Sequence, residues 1–263
     1  ATGSSIFLYD GSPTYPQIDI LLKYCQDKKI NFFGVSAKYI DHLKNENFNS
    51  KHLDLSSIKI ITSTGSPLAE ESFKYIYDNI KQDVHLASIA GGTDMVGCLV
   101  LGNLYSNVYK GEIQGQSLGI DIDILSDNGK STKDGEKGEL VVKQPFPSMP
   151  IKFWGDSSGQ KYYDAYFRKF ENIWHHGDFI ERTANNGFIM RGRSDTTLNP
   201  GGVRIGTSEI YQQVENVDFV TEALVVGQDY KDDVRIILFI TTKNDQKLDE
   251  EKIKSIKSII RKN

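Results

Sequence analysis

The chain has 263 residues, enough for one large domain or one domain plus part of another. Its 31 basic and 35 acidic side chains give a net charge of −4, which excludes a global electrostatic footprint for nucleic acid. No stretch approaches the roughly 18 apolar residues of a spanning helix, and the amino terminus lacks the basic lead and apolar run of a secretory signal. Cys25 and Cys98 are too few for a metal cluster or disulfide framework, and each reads as a small core residue. The expected setting is a reducing compartment, the cytoplasm, with no membrane, nucleic-acid or protein partner.

The first hundred residues alternate helix and strand patterns. Ile18, Leu21, Leu22 and Cys25 follow helical spacing, and NFFGV then offers a short buried strand. The helix AKYIDHLK precedes a strand at 58–63. A helix beginning near Leu68 carries Phe73, Ile76, Tyr77 and Ile80 on one stripe, and the strand VHLASI follows at 84–89. This alternation predicts an α/β unit, a parallel sheet with flanking helices, over 1–96. From 97 to 194 the pattern becomes short strands split by Gly, Asp and Asn turns, as in LGIDIDIL and GELVVK, which predicts a β-barrel-like subdomain. After Asp195 a new α+β unit starts, with a helix at 207–215 launched from a Thr/Ser cap, strands ALVVG and VRIILFIT, and a terminal helix. The basic run KIKSIKSIIRKN reads as an amphipathic helix with a solvated face.

Four glycine-bearing segments carry the chemistry. The densest is 187–209, where Arg193 and Arg204 flank an Asp-Thr-Thr step and a Pro-Gly-Gly turn. Forked guanidinium donors beside a backbone that allows close approach suit phosphate and ribose oxygens; a β-hairpin with surface arginines fits the same residues. In SIAGGTDM a strand should end at Ile89 and the chain turn through Gly91 and Gly92. Thr93 could then meet a phosphate oxygen, and Asp94 could offer Mg²⁺ a hard ligand. A plain strand-to-loop turn is the alternative. Asp178 in WHHGDF is either a ligand carboxylate or a turn cap. His175 and His176 are adjacent on a strand and so face opposite sides, which argues against shared metal ligation. TSTGSPL, with Gly65, Ser66 and Pro67, lacks the Lys-Ser/Thr ending of a Walker loop. Trp154 and Met149 could line a small pocket or pack in the core.

Taken in order, LYDGSP, STGSPL, GGTD, KGEIQGQSLGIDID, PFPSMPIKFWGD, HGDF and GRSDTTLNPGGVRIGTSEIYQQVE resemble the later half of the adenylate-forming superfamily, from about residue 7 onward. Within it the wording is nearest the acetoacetate-activating branch of the CoA ligases. The resemblance implies a two-step ATP-dependent activation of acetoacetate and its transfer to coenzyme A, with ATP/AMP, Mg²⁺ and CoA as ligands. It also implies site roles. Gly65, Ser66 and Pro67 would lie against the adenine and acyl pocket, and Gly91, Gly92 and Thr93 at the α-phosphate. Asp94 would stand at the metal, where the family usually has Glu. Asp178 and Arg193 would grip the ribose, Arg204 would reach the phosphate, and Asn199 would lie near the CoA thiol, although Asn199-Pro200-Gly201 is equally a simple turn. Asp195 matches the hinge of a small mobile domain, 195–263, and Thr196 stands where the family has a second Asp.

Two elements of that pattern are missing: the Ser/Thr/Gly-rich triphosphate loop upstream and the lysine near the carboxyl end. The chain therefore reads as the carboxyl part of a longer enzyme. A non-catalytic nucleotide-binding module, or an adenylation domain serving another small acid or a carrier protein, would share the same motifs.

Overall fold

The computed structural model describes residues 3–196, 198, 205–215, 217–230, 233–243 and 246–262. Contacts divide the chain into two compact units, one up to Ala87 and one from Ser88.

In the first unit, α1 (Ile20–Lys28) buries Leu22 and Cys25. Strand β1 (Phe32–Ser36) runs straight into α2 (Ala37–Asn45), where the Ser36 hydroxyl accepts the Tyr39 N–H at 3.2 Å. Such an N-cap satisfies one orphan donor and is worth about 1 kcal/mol. Strand β2 (Ile60–Thr64) lies parallel to β1, with Phe32 opposite Ile60. The expected helix near Leu68 starts later, as α3 (Glu70–Tyr75), because Ala69 still has extended backbone. It continues as a π-helical turn over Ile76–Ile80, and β3 (His85–Ser88) completes a sheet of order β1-β2-β3. Ile40, Leu43, Ile58, Ile61, Phe73, Ile76 and Leu86 are buried in this unit.

The second unit opens with an antiparallel sheet of β4 (Ala90–Gly92), β5 (Gly97–Leu101) and β6 (Gly115–Gln116). A second antiparallel sheet has the order β10-β9-β8-β7, from β7 (Ile122–Leu125), β8 (Lys137–Val142), β9 (Trp174–Arg182) and β10 (Phe188–Arg193). A bridge between Ile113 and Phe188 ties the segment before β6 to β10. One core, including Met95, Leu99, Val100, Ile124, Leu140, Trp174, Ile180 and Phe188, serves both sheets, so the barrel-like subdomain consists of two antiparallel sheets around a shared interior. Helix α4 (Gln160–Tyr166) packs Tyr162 and Tyr166 against that core.

A 3-10 turn at Ser194–Thr196 leads toward α5 (Thr207–Val214), the antiparallel pair β11 (Val220–Tyr230) and β12 (Asp233–Thr242), and α6 (Glu250–Lys262). Leu198, Ile210, Val214, Val220, Val225 and Ile256 bury one another here. The cap of α5 differs from expectation. Gly206 is the N-cap and Thr207 and Ser208 are already helical, while the Glu209 carboxylate accepts the Gly206 N–H at 2.9 Å. No helix among the described residues is long and apolar enough to cross a membrane.

Candidate active-site cleft

The GGTD segment forms differently from a tight glycine turn. Gly91 and Gly92 are extended in β4, opposite Cys98 and Gly97 of β5. A Cβ on Gly91 would stand 2.1 Å from the Gly97 carbonyl oxygen, so glycine is needed for close strand pairing rather than for turning. The reversal comes one step later, where the Val96 N–H donates to the Thr93 carbonyl at 3.1 Å and Val96 takes a φ of 50°. Thr93 and Asp94 therefore sit exposed at the tip of a β4–β5 turn. The Tyr166 hydroxyl donates to Asp94 Oδ2.

Strands β9 and β10 bring the ribose candidates together. Their antiparallel register sets Arg193 opposite Asp178. Arg193 Nη1 donates to the His176 carbonyl at 3.1 Å and to Asp178 Oδ1 at 3.4 Å. Asp178 is buried and Arg193 is half exposed, so the arginine is the part of the pair that meets solvent. Gly177, at a φ of 82°, lets this happen: a Cβ there would lie 2.6 Å from Arg193 Nη2.

His176 and His175 point to opposite sides, as their adjacency on a strand requires. His176 is buried, and its Nδ1 accepts the indole N–H of Trp174 at 3.3 Å. An indole only donates, so this ring nitrogen carries a lone pair and the imidazole is neutral. Burial pushes the His176 imidazole down, in agreement. Its Nε2 lies 3.6 Å from Asp178 Oδ2, and the ring also bonds the Gly91 backbone. Burial pushes the Asp178 carboxyl up against the opposing pull of the Arg193 guanidinium.

On the other face, His175 Nε2 meets Glu139 Oε2 at 2.9 Å, and Lys169 Nζ donates to Glu139 Oε1 at 2.6 Å. Glu139 is wholly buried in β8. Burial alone would raise its carboxyl, but the hydrogen bonds from His175 and Lys169 outweigh that and hold it well below the usual carboxylate range.

These groups surround one cleft of about 940 Å³, lined by Gly91, Gly92, Thr93, Asp94, Glu139, Tyr166, Lys169, His175, His176, Gly177, Arg193 and Asp195 among others. Of the expected site residues, the cleft wall thus includes Gly91, Gly92, Thr93, Asp94, Arg193 and Asp195, with Asp178 ion-paired to Arg193. Asp195 is exposed in the 3-10 turn, its carboxylate 3.5 Å from Arg193 Nε. Gly65, Ser66 and Pro67 form the turn after β2 in the first unit, with Gly65 at a φ of 88°. Arg204 and Asn199 lie outside the described residues.

Trp154, considered as a pocket or core residue, is fully exposed, whereas Met149 packs against the core of the second unit. Cys25 is buried as expected and Cys98 half-buried. Sequence reasoning missed Tyr166, Glu139 and Lys169. A glutamate inside the apolar run GELVV was the available signal, since a charge at a core position needs partners. Among the described residues no group of three or more His, Cys, Asp and Glu side chains could by itself hold a metal.

Comparison with known proteins identifies what the chain is similar to. The family model described as AMP-binding enzyme matches residues 1–149. The chain is 52% identical over 262 residues to the acetoacetyl-coenzyme A synthetase of Rhizobium meliloti (strain 1021), covering 99% of this chain and 40% of that protein. Among solved structures it resembles acetoacetyl-CoA synthetase from Streptomyces lividans, with a TM-score of 0.87 at 36% identity over 96% of this chain and 39% of that one. The fold also matches an anthranilate CoA ligase in complex with anthranoyl-AMP, with a TM-score of 0.78 at 18% identity, over 99% of this chain and 48% of that one. The chain thus spans about 40% of the length of the curated relative. With the family model covering more than half its residues, the chain belongs to the AMP-binding enzyme family.

Proposed function

We propose that the full-length protein containing this chain is an ATP-dependent acid–thiol ligase that converts acetoacetate and coenzyme A to acetoacetyl-CoA. A carboxylate oxygen of acetoacetate attacks the α-phosphorus of ATP and pyrophosphate leaves. The CoA sulfur then attacks the acyl carbon of the adenylate and AMP leaves. The observation that carries this reading is that the Thr93–Asp94 turn and the Arg193–Asp178 pair meet at a single cleft. The choice of acetoacetate follows the 52% identity to the Rhizobium meliloti acetoacetyl-coenzyme A synthetase.

In this reading Arg193 and Asp178 bind the ribose, and Gly91, Gly92 and Thr93 face the α-phosphate. Gly65, Ser66 and Pro67 serve the adenine and acyl pocket. Arg204 approaches the phosphate and Asn199 the CoA thiol. The donor set suits Mg²⁺ brought in with the nucleotide: Asp94 is one exposed carboxylate, and Mg²⁺ binds through one or two carboxylates plus substrate phosphates. When bound, the ion neutralises charge on the triphosphate. The large AMP-binding domain would run through 194, as a sheet part at 1–96 and a β-rich part at 97–194. Segment 195–263 would belong to a small domain that turns about Asp195 between the two steps, in the cytoplasm.

Acetoacetate-dependent exchange of labelled pyrophosphate into ATP by the full-length protein, followed by single-turnover transfer to CoA, tests this. Nucleotide binding without exchange would indicate a non-catalytic module. Exchange with another acid but not acetoacetate would overturn the substrate, and transfer to a carrier protein but not CoA would overturn the acceptor.

A further inference from the structure

Tyr166 is the last residue of α4 and forms part of the cleft wall. Its ring lies flat on Trp174, with centroids 3.6 Å apart and planes 13° from parallel. Phe153 and Tyr162 meet the same ring edge-on, at 6.0 Å and 5.8 Å. Trp174 is buried and its indole N–H is tied to His176. The phenol is therefore held from behind by the core of the unit, not by the exposed segment it touches. Its hydroxyl donates to Asp94, 72 positions earlier in the chain. Asp94 has the opposite character: it stands exposed at the tip of a short turn, on a side chain with two free torsions. A carboxylate only accepts, so the phenol is the donor and the bond keeps one direction.

We propose that Tyr166 is a positioning residue for the metal-side carboxylate: it holds Asp94 by Oδ2 and leaves Oδ1 to serve nucleotide-bound Mg²⁺. The inference rests on the reading of Asp94 given above. A rigid aromatic platform fixes a carboxylate that its own loop leaves mobile, and ordering it in advance removes part of the cost of binding. The indole under the ring also links this arm to His176 and hence to Asp178, so the two ends of the nucleotide site share one support.

The test is Tyr166→Phe in the full-length protein, which keeps the stacked ring and removes only the hydroxyl. Calorimetry would follow binding of an ATP analogue with a methylene between its α- and β-phosphates across a Mg²⁺ series. The half-saturating Mg²⁺ should rise about tenfold, the scale of one hydrogen bond to a charged group. Affinity for AMP, which carries no triphosphate, and tryptophan emission should stay as in the wild type. In an Asp94→Ala background the second substitution should add nothing, as a double-mutant cycle requires of coupled groups. An unchanged Mg²⁺ dependence in Tyr166→Phe, with a shifted one in Asp94→Ala, would overturn the role of Tyr166 alone. An unchanged dependence in Asp94→Ala would instead remove the reading of Asp94. Weakened AMP binding with altered tryptophan emission in Tyr166→Phe would show a packing role and also overturn the proposal.

Discussion

Replacing Glu139 with glutamine perturbs the ion network beside the cleft while keeping side-chain volume. The wild-type carboxylate is wholly buried and accepts from Lys169 at 2.6 Å and His175 at 2.9 Å. Removing one partner of a buried pair costs about 3–5 kcal/mol. Lys169 is 33% exposed and keeps Asp127 at 3.2 Å, so water and a second carboxylate take up part of its charge. That argues for the lower end, about 3 kcal/mol. At 1.4 kcal/mol per decade the opening equilibrium should shift roughly 100-fold. Hydrogen exchange on the full-length protein reads this directly. Amide protection in β8 and β9 should fall roughly 100-fold in Glu139→Gln, while β1 and β2 keep theirs. The pH dependence has a fixed sign. Hydrogen bonding holds the folded carboxyl below its ordinary value of 4.5, so the network stabilises above that pH and is lost as pH falls toward the folded value. Wild-type protection in β8 and β9 should therefore decline below pH 4.5, with a shallower decline in the variant. Equal protection in both proteins at neutral pH, or equal pH slopes, would refute the reasoning.

Asp178→Ala removes the carboxylate paired with Arg193 and should weaken ATP and AMP binding by about 1–3 kcal/mol in calorimetric titration of the full-length protein. Gly177→Ala forces a Cβ against Arg193 at a left-handed φ and should lower nucleotide affinity on a similar scale, about 1–3 kcal/mol, while Asp178 stays intact. Asp195→Pro restricts φ near the proposed hinge. It should leave pyrophosphate exchange largely working and slow thioester formation at least about tenfold, whereas equal losses in both steps would indicate general damage.

The sequence alone determined the local elements, because period-two and helical spacing are properties of neighbouring residues. The α/β alternation of the first unit, the strands LGIDIDIL and GELVVK, and the opposite facing of His175 and His176 were all legible. The amphipathic last helix was legible too, with Ile256 buried among the apolar side chains of the last segment. Joint motif order was enough to point to the family. The tertiary structure decided what depends on distant register. Gly91 and Gly92 look like a turn until the fold is assembled, and only then is Gly91 seen to let β5 pair closely and Gly92 to leave room for His176. Asp178 meets Arg193 because β9 pairs with β10, and Asp94 meets Tyr166 across 72 positions. Composition treats Trp154 and Trp174 alike, yet one is fully exposed and the other anchors an aromatic stack. Burial and hydrogen-bond partnership are set by which segments the fold brings alongside each other, and no local window of the chain contains both sides of such a contact.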